Sequence, residues 1–316
     1  MNFFLNFSAL IFSIIILIWG ADRFIESSSR LANKFGISEL TIGLTIVALG
    51  TSAPEIFVGI LSVFNQTEEI AMGAIVGSNI SNIALIFGIS CLGLAIKPKK
   101  TKPIQFIPLL IASISLGLIL SDLFISFLES LFLLVVFLFF LIVTYLNKSD
   151  IAVSIAESNL DKTLSIFGTI IIGILALIFG SNFAVIFAEN IATILGVSEL
   201  VIGLTIIAIG TSLPELAATI SAIIKNKNEM VVGNVIGSNV LNIVLVVPII
   251  GFFSSANLNA NIFDRDYIVM IILTVFFIIF ASFYSNKNIS LGQIKFIGFF
   301  LLVSYVLYLL ILSNVI

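Results

Sequence analysis

Histidine is absent from the 316 residues of this chain, cysteine occurs once and charged residues make up only 10%. Without histidine, the imidazole ligands usual for zinc, copper or iron are missing, so any bound ion must be met mainly by oxygen. The lone Cys91 excludes an internal disulfide and reads as a small apolar core residue. A soluble domain carries about 25% charged residues. Here 60% of the residues are hydrophobic and the mean hydropathy is +1.27, the composition of an integral membrane protein. The net charge of −3 and the lack of any basic tract leave no footprint for nucleic acid. The apolar runs are continuous and do not alternate, which selects helices over a barrel. No Lys or Arg precedes Arg23, so the apolar stretch 3–20 lacks the positive leader of a signal peptide and reads as a retained helix.

What the chain does contain is one phrase said twice. Residues 43–55 read GLTIVALGTSAPE and residues 203–215 read GLTIIAIGTSLPE. A second pair follows, GAIVGSNISN from Gly73 to Asn82 and GNVIGSNVLN from Gly233 to Asn242, and GISEL at 36–40 recurs as GVSEL at 196–200. Every matched pair is offset by 160 residues.

About twenty apolar residues cross a bilayer. On that rule ten spans are expected, near 4–28, 40–64, 72–96, 104–121, 124–146, 164–193, 200–224, 230–253, 267–285 and 291–313. Of the 14 basic residues, all but Arg265 then fall on one side. The positive-inside rule puts that side in the cytoplasm and both termini outside, in the plasma membrane. The polar segment 147–163 divides the chain into 1–146 and 164–316, each with five spans. Five is odd, so the second copy crosses in the opposite sense. The expected fold is therefore an all-α integral membrane protein of ten transmembrane helices in two inverted five-helix repeats, an architecture of many secondary transporters.

In the second span Thr51 and Glu55 stand at i and i+4, with Ser52 beside them. Pro54 cannot donate a backbone hydrogen bond and frees the carbonyl of Gly50, so a kink exposing hydroxyls, carbonyls and a carboxylate is expected. Gly210, Thr211, Ser212, Pro214 and Glu215 repeat the arrangement. Ser78 and Asn82, then Ser238 and Asn242, share helix faces in the third and eighth spans. Gly73 and Gly77 form a GxxxG pair, for which helix packing is the expected main role. Asp22, Glu26 and Arg30 are expected as solvated i,i+4 pairs, and Glu129 as an interfacial residue. An ionisable group at the bilayer centre costs roughly 2.5 kcal/mol or more and is functional by default. Glu55 and Glu215 are the residues this singles out.

The GTSAPE/GTSLPE and GSN-x-x-N pairs resemble the two repeats of the Ca2+/cation antiporter superfamily, specifically the prokaryotic sodium/calcium exchangers, over the whole chain. The resemblance implies a Ca2+ site at Glu55 and Glu215 with backbone oxygens of Thr51 and Thr211. It implies one Na+ site from the Ala48 carbonyl, Thr51, Ser52, Glu55 and Ser78, and another from the Ala208 carbonyl, Thr211, Ser212, Glu215 and Ser238. Asn82 and Asn242 complete the central layer. Such exchangers often carry an aspartate where this chain has Asn242, so a third central acid is missing. The implied activity is Na+/Ca2+ antiport by alternating access, with the two ions as substrates, no cofactor, the bilayer as environment and a monomer or weak homo-oligomer as the assembly. Ca2+/H+ or K+-dependent exchange and a cation channel are the alternatives within transport, and a non-transporting scaffold lies outside it. No nucleophile–base pair or cofactor motif suggests an enzyme.

Overall fold

In the computed structural model, residues 3–66, 68–93, 101–147, 160–196, 210–253, 258–284 and 289–312 are described. Among them there are helices and no strand. The helices are α1 (Phe3–Phe35), α2 (Glu39–Thr51), α3 (Ala53–Asn65), α4 (Glu68–Gly93), α5 (Pro103–Leu120) and α6 (Phe127–Leu146). After the connection to the second half come α7 (Leu160–Ile194), α8 (Leu213–Ile224), α9 (Asn228–Phe253), α10 (Ile268–Tyr284) and α11 (Leu291–Leu312).

Seven of these are long and apolar enough to cross a membrane, or eight if the bent pair α2 and α3 counts as one span. The expectation of ten is thus met only in part among the described residues. Residues 197–209, which include the start of the expected seventh span, lie outside them, and α8 has only 12 residues. α10 has 17 residues and is preceded by a π-helical turn, Ile262–Tyr267.

The surface follows the solvent expected of a bilayer. Phe12, Ile15 and Ile18 of α1, Leu138 and Ile142 of α6, and Phe296 and Phe299 of α11 are exposed. Serines, asparagines and three glutamates, Glu55, Glu68 and Glu215, are buried instead. With no water at membrane depth, polar groups gather where they can satisfy one another.

α1 and α7 have 33 and 35 residues. At 1.5 Å per residue each is about 50 Å long, well beyond a hydrocarbon core of about 30 Å. They run antiparallel along each other. Asn190 Nδ2 donates to Asn6 Oδ1 at one end, and Lys34 donates to Thr163 at the other. Small residues permit the approach: a Cβ on Gly20 would stand 2.7 Å from that of Ala176.

The break between α2 and α3 is where Pro54 predicts it. The two axes are bent by 44°, with Ser52 at φ −80°, ψ 7°. Ser212 adopts the same backbone, φ −93°, ψ 6°, ahead of Pro214. The middle of α4 and of α9 loosens into a π turn that opens at matched residues, Asn82–Phe87 and Asn242–Val246.

Ion pairs join elements at one face. Lys225 Nζ lies 2.7 Å from Asp22 Oδ1, and Lys227 Nζ lies 2.5 Å from Glu39 Oε1. Glu26 and Arg30 form the expected i,i+4 pair, whereas Asp22 pairs with Lys225, the residue that follows α8. At the other face the Leu258 N–H donates to the Leu123 carbonyl at 2.8 Å. Glu129 is the third residue of a capping box with Ser126 at the start of α6.

Candidate functional site

α4 and α9 are the innermost long helices, and the kinked segments at Ser52 and Ser212 abut them. This brings most of the residues singled out by the repeat into one buried layer. Ala48, Thr51, Ser52, Glu55, Ser78, Asn82, Ser212, Glu215, Ser238 and Asn242 are all buried. Thr211 is half-buried beside Ser78 at the floor of a cavity. Ala208 lies outside the described residues.

The two carboxylates are each held by one oxygen and left free at the other. Ser78 Oγ donates to Glu55 Oε1 at 3.1 Å, and Ser52 Oγ donates to Glu215 Oε1 at 3.2 Å. Glu55 Oε2 and Glu215 Oε2 are buried with no hydrogen-bond partner among the described residues. The two charges lie within repulsive reach of each other.

The asparagines form a reciprocal pair of clasps. Asn82 Nδ2 donates to Asn239 Oδ1 at 3.4 Å, and Asn242 Nδ2 donates to Asn79 Oδ1 at 3.2 Å. Each clasp is the 160-residue image of the other. Each of these amide nitrogens gives one hydrogen bond to its clasp, and Asn82 Oδ1 and Asn242 Oδ1 remain buried without a donor. An acceptor left unsatisfied in a buried site costs about 1–3 kcal/mol. Here two carboxylate and two amide oxygens share that condition, which is the donor set for a hard cation. Among the described residues no three carboxylates or thiols gather into a cluster, in keeping with asparagine at position 242.

Several neighbours escaped the reading of the sequence. Ser81 Oγ donates to Ser212 Oγ at 2.7 Å. Asn234 Oδ1 stands 3.3 Å from Thr51 Oγ1 and 3.5 Å from Ser238 Oγ, and its Nδ2 stands 3.5 Å from Thr219 Oγ1. The first copy has Ala74 where the second has Asn234, and the second has Leu241 where the first has Ser81. The signal that finds these residues is a polar side chain at a position where the repeat breaks.

Gly73 and Gly77 also differ from expectation. A Cβ on either would meet nothing within 4 Å. They line a cavity of about 370 Å3 that runs from Ser78 and Thr211 to Arg265 and Asp266. Gly233 and Gly237 do pack as the motif predicts: a Cβ on each would lie 2.4 Å from a carbonyl oxygen of α2, Leu40 and Leu44 respectively.

Buried, donor-less oxygens at the meeting of two repeated motifs, inside a helical membrane protein, mark the class of membrane cation transporters. Comparison with known proteins then gives the family. The sequence matches the family described as sodium/calcium exchanger protein over residues 5–146 and 165–314, and the chain belongs to that family. It is 37% identical to a putative antiporter, CaxA, of Alkalimonas amylolytica, covering 83% of this chain and 85% of that one. It is 31% identical to the sodium/calcium exchanger MaX1 of Methanosarcina acetivorans, covering 88% and 91%. Its structure superposes on that of the sodium-calcium exchanger NCX_Mj with a TM-score of 0.82 at 28% identity, over 97% of this chain and 98% of the other.

Proposed function

We propose that this protein is a secondary active antiporter that exchanges Na+ for Ca2+ by alternating access, with both ions bound between two inverted repeats. The observation that carries the reading is the set of four buried oxygens without donors, on Glu55, Glu215, Asn82 and Asn242. Two carboxylates neutralise one Ca2+, which takes 6–8 oxygens at about 2.3–2.6 Å. The backbone oxygens of Thr51 and Thr211 add to the four. Na+ ions fill the flanks instead, one with Ala48, Thr51, Ser52, Glu55 and Ser78, the other with Ala208, Thr211, Ser212, Glu215 and Ser238. Asn82 and Asn242 serve the central layer in either case.

The same site explains coupling. Two bare carboxylates in a low dielectric repel each other and lack hydration, so a crossing with the site unneutralised is costly. A site neutralised by either ion escapes that penalty. Exchange follows, and with more than two Na+ per Ca2+ the cycle carries charge and responds to membrane potential.

Topologically, residues 1–146 and 164–316 act as the two five-helix repeats and 147–163 as a cytoplasmic linker, giving ten spans in the plasma membrane with both termini outside. The antiparallel run of α1 and α7 supports an inverted relation. So do the contacts that gather Lys225 and Lys227 with Asp22 and Glu39 at one face, and Leu258 with Leu123 at the other.

The test is Ca2+ uptake into proteoliposomes under imposed Na+, K+ or H+ gradients. Saturable uptake driven by an outward Na+ gradient is expected. Uptake driven by H+ alone would replace the counter-ion, and unsaturable flux needing no counter-ion would replace the exchanger with a channel.

A further inference from the structure

The cavity over Gly73, Gly77, Ser78 and Thr211 has a charged mouth. Asp266 is buried there, its side chain 11% exposed, while the Arg265 side chain stands further out at 34%. The guanidinium grips the carboxylate with both prongs, Nε to Oδ1 at 2.8 Å and Nη2 to Oδ2 at 3.1 Å. Tyr308 OH donates to Oδ1 at 3.2 Å, and Tyr305 lines the same cavity. Neither Arg265 nor Asp266 belongs to the repeated motifs, and under the proposed topology Arg265 is the one basic residue on its side of the membrane.

A buried carboxylate on the way to two others is a place where a cation would pause. Asp266 lines the cavity together with Arg265, Tyr305 and Tyr308, and the Tyr308 phenol steadies one of its oxygens. The guanidinium occupies the position that an incoming ion would take. Because the pair is neutral, the passage presents no net charge ahead of the glutamates.

Resting on the antiport reading, we propose that Asp266 is an outer cation-recruiting site in the extracytoplasmic passage and that Arg265 is its built-in competitor. An arriving cation displaces the guanidinium, which swings outward, and the ion then moves on to the glutamate layer. The tethered charge keeps Asp266 from becoming a trap that holds Ca2+ short of the central site. Coulomb energy scales with ion charge, so Arg265 opposes Ca2+ about twice as strongly, per ion, as Na+. Compared with an uncompensated Asp266, the neutral pair therefore weakens Ca2+ at the outer face more than it weakens Na+.

The experiment uses the full-length protein in proteoliposomes of one orientation, with half-saturation measured separately at each face. Arg265→Gln leaves Asp266 uncompensated and is expected to lower the half-saturating Ca2+ concentration at the Arg265 face by roughly ten-fold and that for Na+ by roughly three-fold, the two-to-one ratio of logarithms that charge dictates. Asp266→Asn leaves the guanidinium unpaired and moves both values the other way. The double variant restores neutrality but has no carboxylate to hold an ion, so half-saturation at that face is expected to stay at least about three-fold above the parent; a return to the parent's values would show a through-space charge effect alone and overturn the recruiting role. The half-saturation at the opposite face is the internal reference. Ca2+ flux in the parent together with single variants that shift in the same direction, or shift both faces equally, would overturn this inference and leave the antiport reading standing. Absence of Ca2+ flux in the parent would remove the antiport reading itself, and this inference with it.

Discussion

The two glycine pairs have the same spacing in the same repeated motif, yet they sit in opposite surroundings. Gly233 and Gly237 are pressed so closely onto α2 that a Cβ on Gly237 would stand 2.4 Å from the Leu44 carbonyl and 2.6 Å from the Ala48 Cβ. Gly73 and Gly77 touch nothing on that side and floor a cavity reaching Ser78. The sealed pair lies nearer the end fastened by Lys227 to Glu39 and Lys225 to Asp22. The open pair lies towards the end of Arg265 and Asp266. A repeated sequence therefore does not impose a repeated packing. Under the antiport reading the two copies occupy the closed and open halves of one cycle, and each glycine pair is small because at some stage it must seal.

The harshest way to break this comparison is at the layer where both copies are alike. Glu55→Gln and Glu215→Gln each remove half of the negative charge that would neutralise Ca2+ and replace it with a weak amide ligand. Each is expected to reduce Na+-driven Ca2+ flux by at least about a hundred-fold, on the scale of about 1.4 kcal/mol per ten-fold, while the protein still elutes as a folded species. Normal uptake in either variant would remove the central claim.

Next come the glycines themselves. Gly237→Val drives a side chain into the Leu44 carbonyl and is expected to cost about 3 kcal/mol of stability through overpacking. The Cβ of Gly77→Val meets no atom within 4 Å, so thermal unfolding in detergent should change little, yet flux should fall because the enlarged side chain keeps the cavity from closing. Equal destabilisation of the two variants would mean that the two surroundings are the same and that the difference drawn between the copies is wrong.

Sidedness sharpens the same contrast without touching the site. A cysteine replacing exposed Lys102 should be labelled only from the cytoplasm, and one replacing exposed Asn259 only from outside. Labelling of both from one face would overturn the inverted repeat on which the open and sealed halves are assigned.

What could be read from the sequence tracks what the repeat makes obligatory. Glu55, Ser52 and Ser78, and their images Glu215, Ser212 and Ser238, were legible because a proline kink and an i,i+4 face place them whatever the neighbours do. The bend at Ser52 follows from the same logic. The π turns at Asn82 and Asn242 were not legible, since one extra residue in a turn leaves no period to detect. The packing role given to Gly73 and Gly77 failed for a different reason. Small spacing states what a helix permits, and whether a neighbour is there depends on how the other helices pack. Asp22 went astray similarly, because its cation, Lys225 at the end of α8, lies far along the chain.

Asn234 offers the finest adjustment of the comparison, because it is a place where the copies differ in chemistry. Its Oδ1 lies within hydrogen-bonding distance of the hydroxyls of Thr51, at 3.3 Å, and Ser238, at 3.5 Å, and so ties the first copy's kink to the second copy's helix. Ala74 occupies the matching position and offers no such acceptor. Asn234→Ala would make the copies alike there. Thr51 and Ser238 are 3.4 Å apart and can bond to each other, so the loss is one neutral hydrogen bond and not two orphaned hydroxyls. That is worth about 1 kcal/mol, or roughly five-fold in ion affinity. Because both hydroxyls belong to the proposed Na+ flanks, half-saturation for Na+ should rise by that factor while that for Ca2+, carried mainly by the glutamates, moves less. The measurement is Na+ and Ca2+ titration of exchange in the parent and the variant. A larger shift for Ca2+ than for Na+ would mean that Thr51 and Ser238 serve the central ion, and the division of the site into a centre and flanks would have to be redrawn.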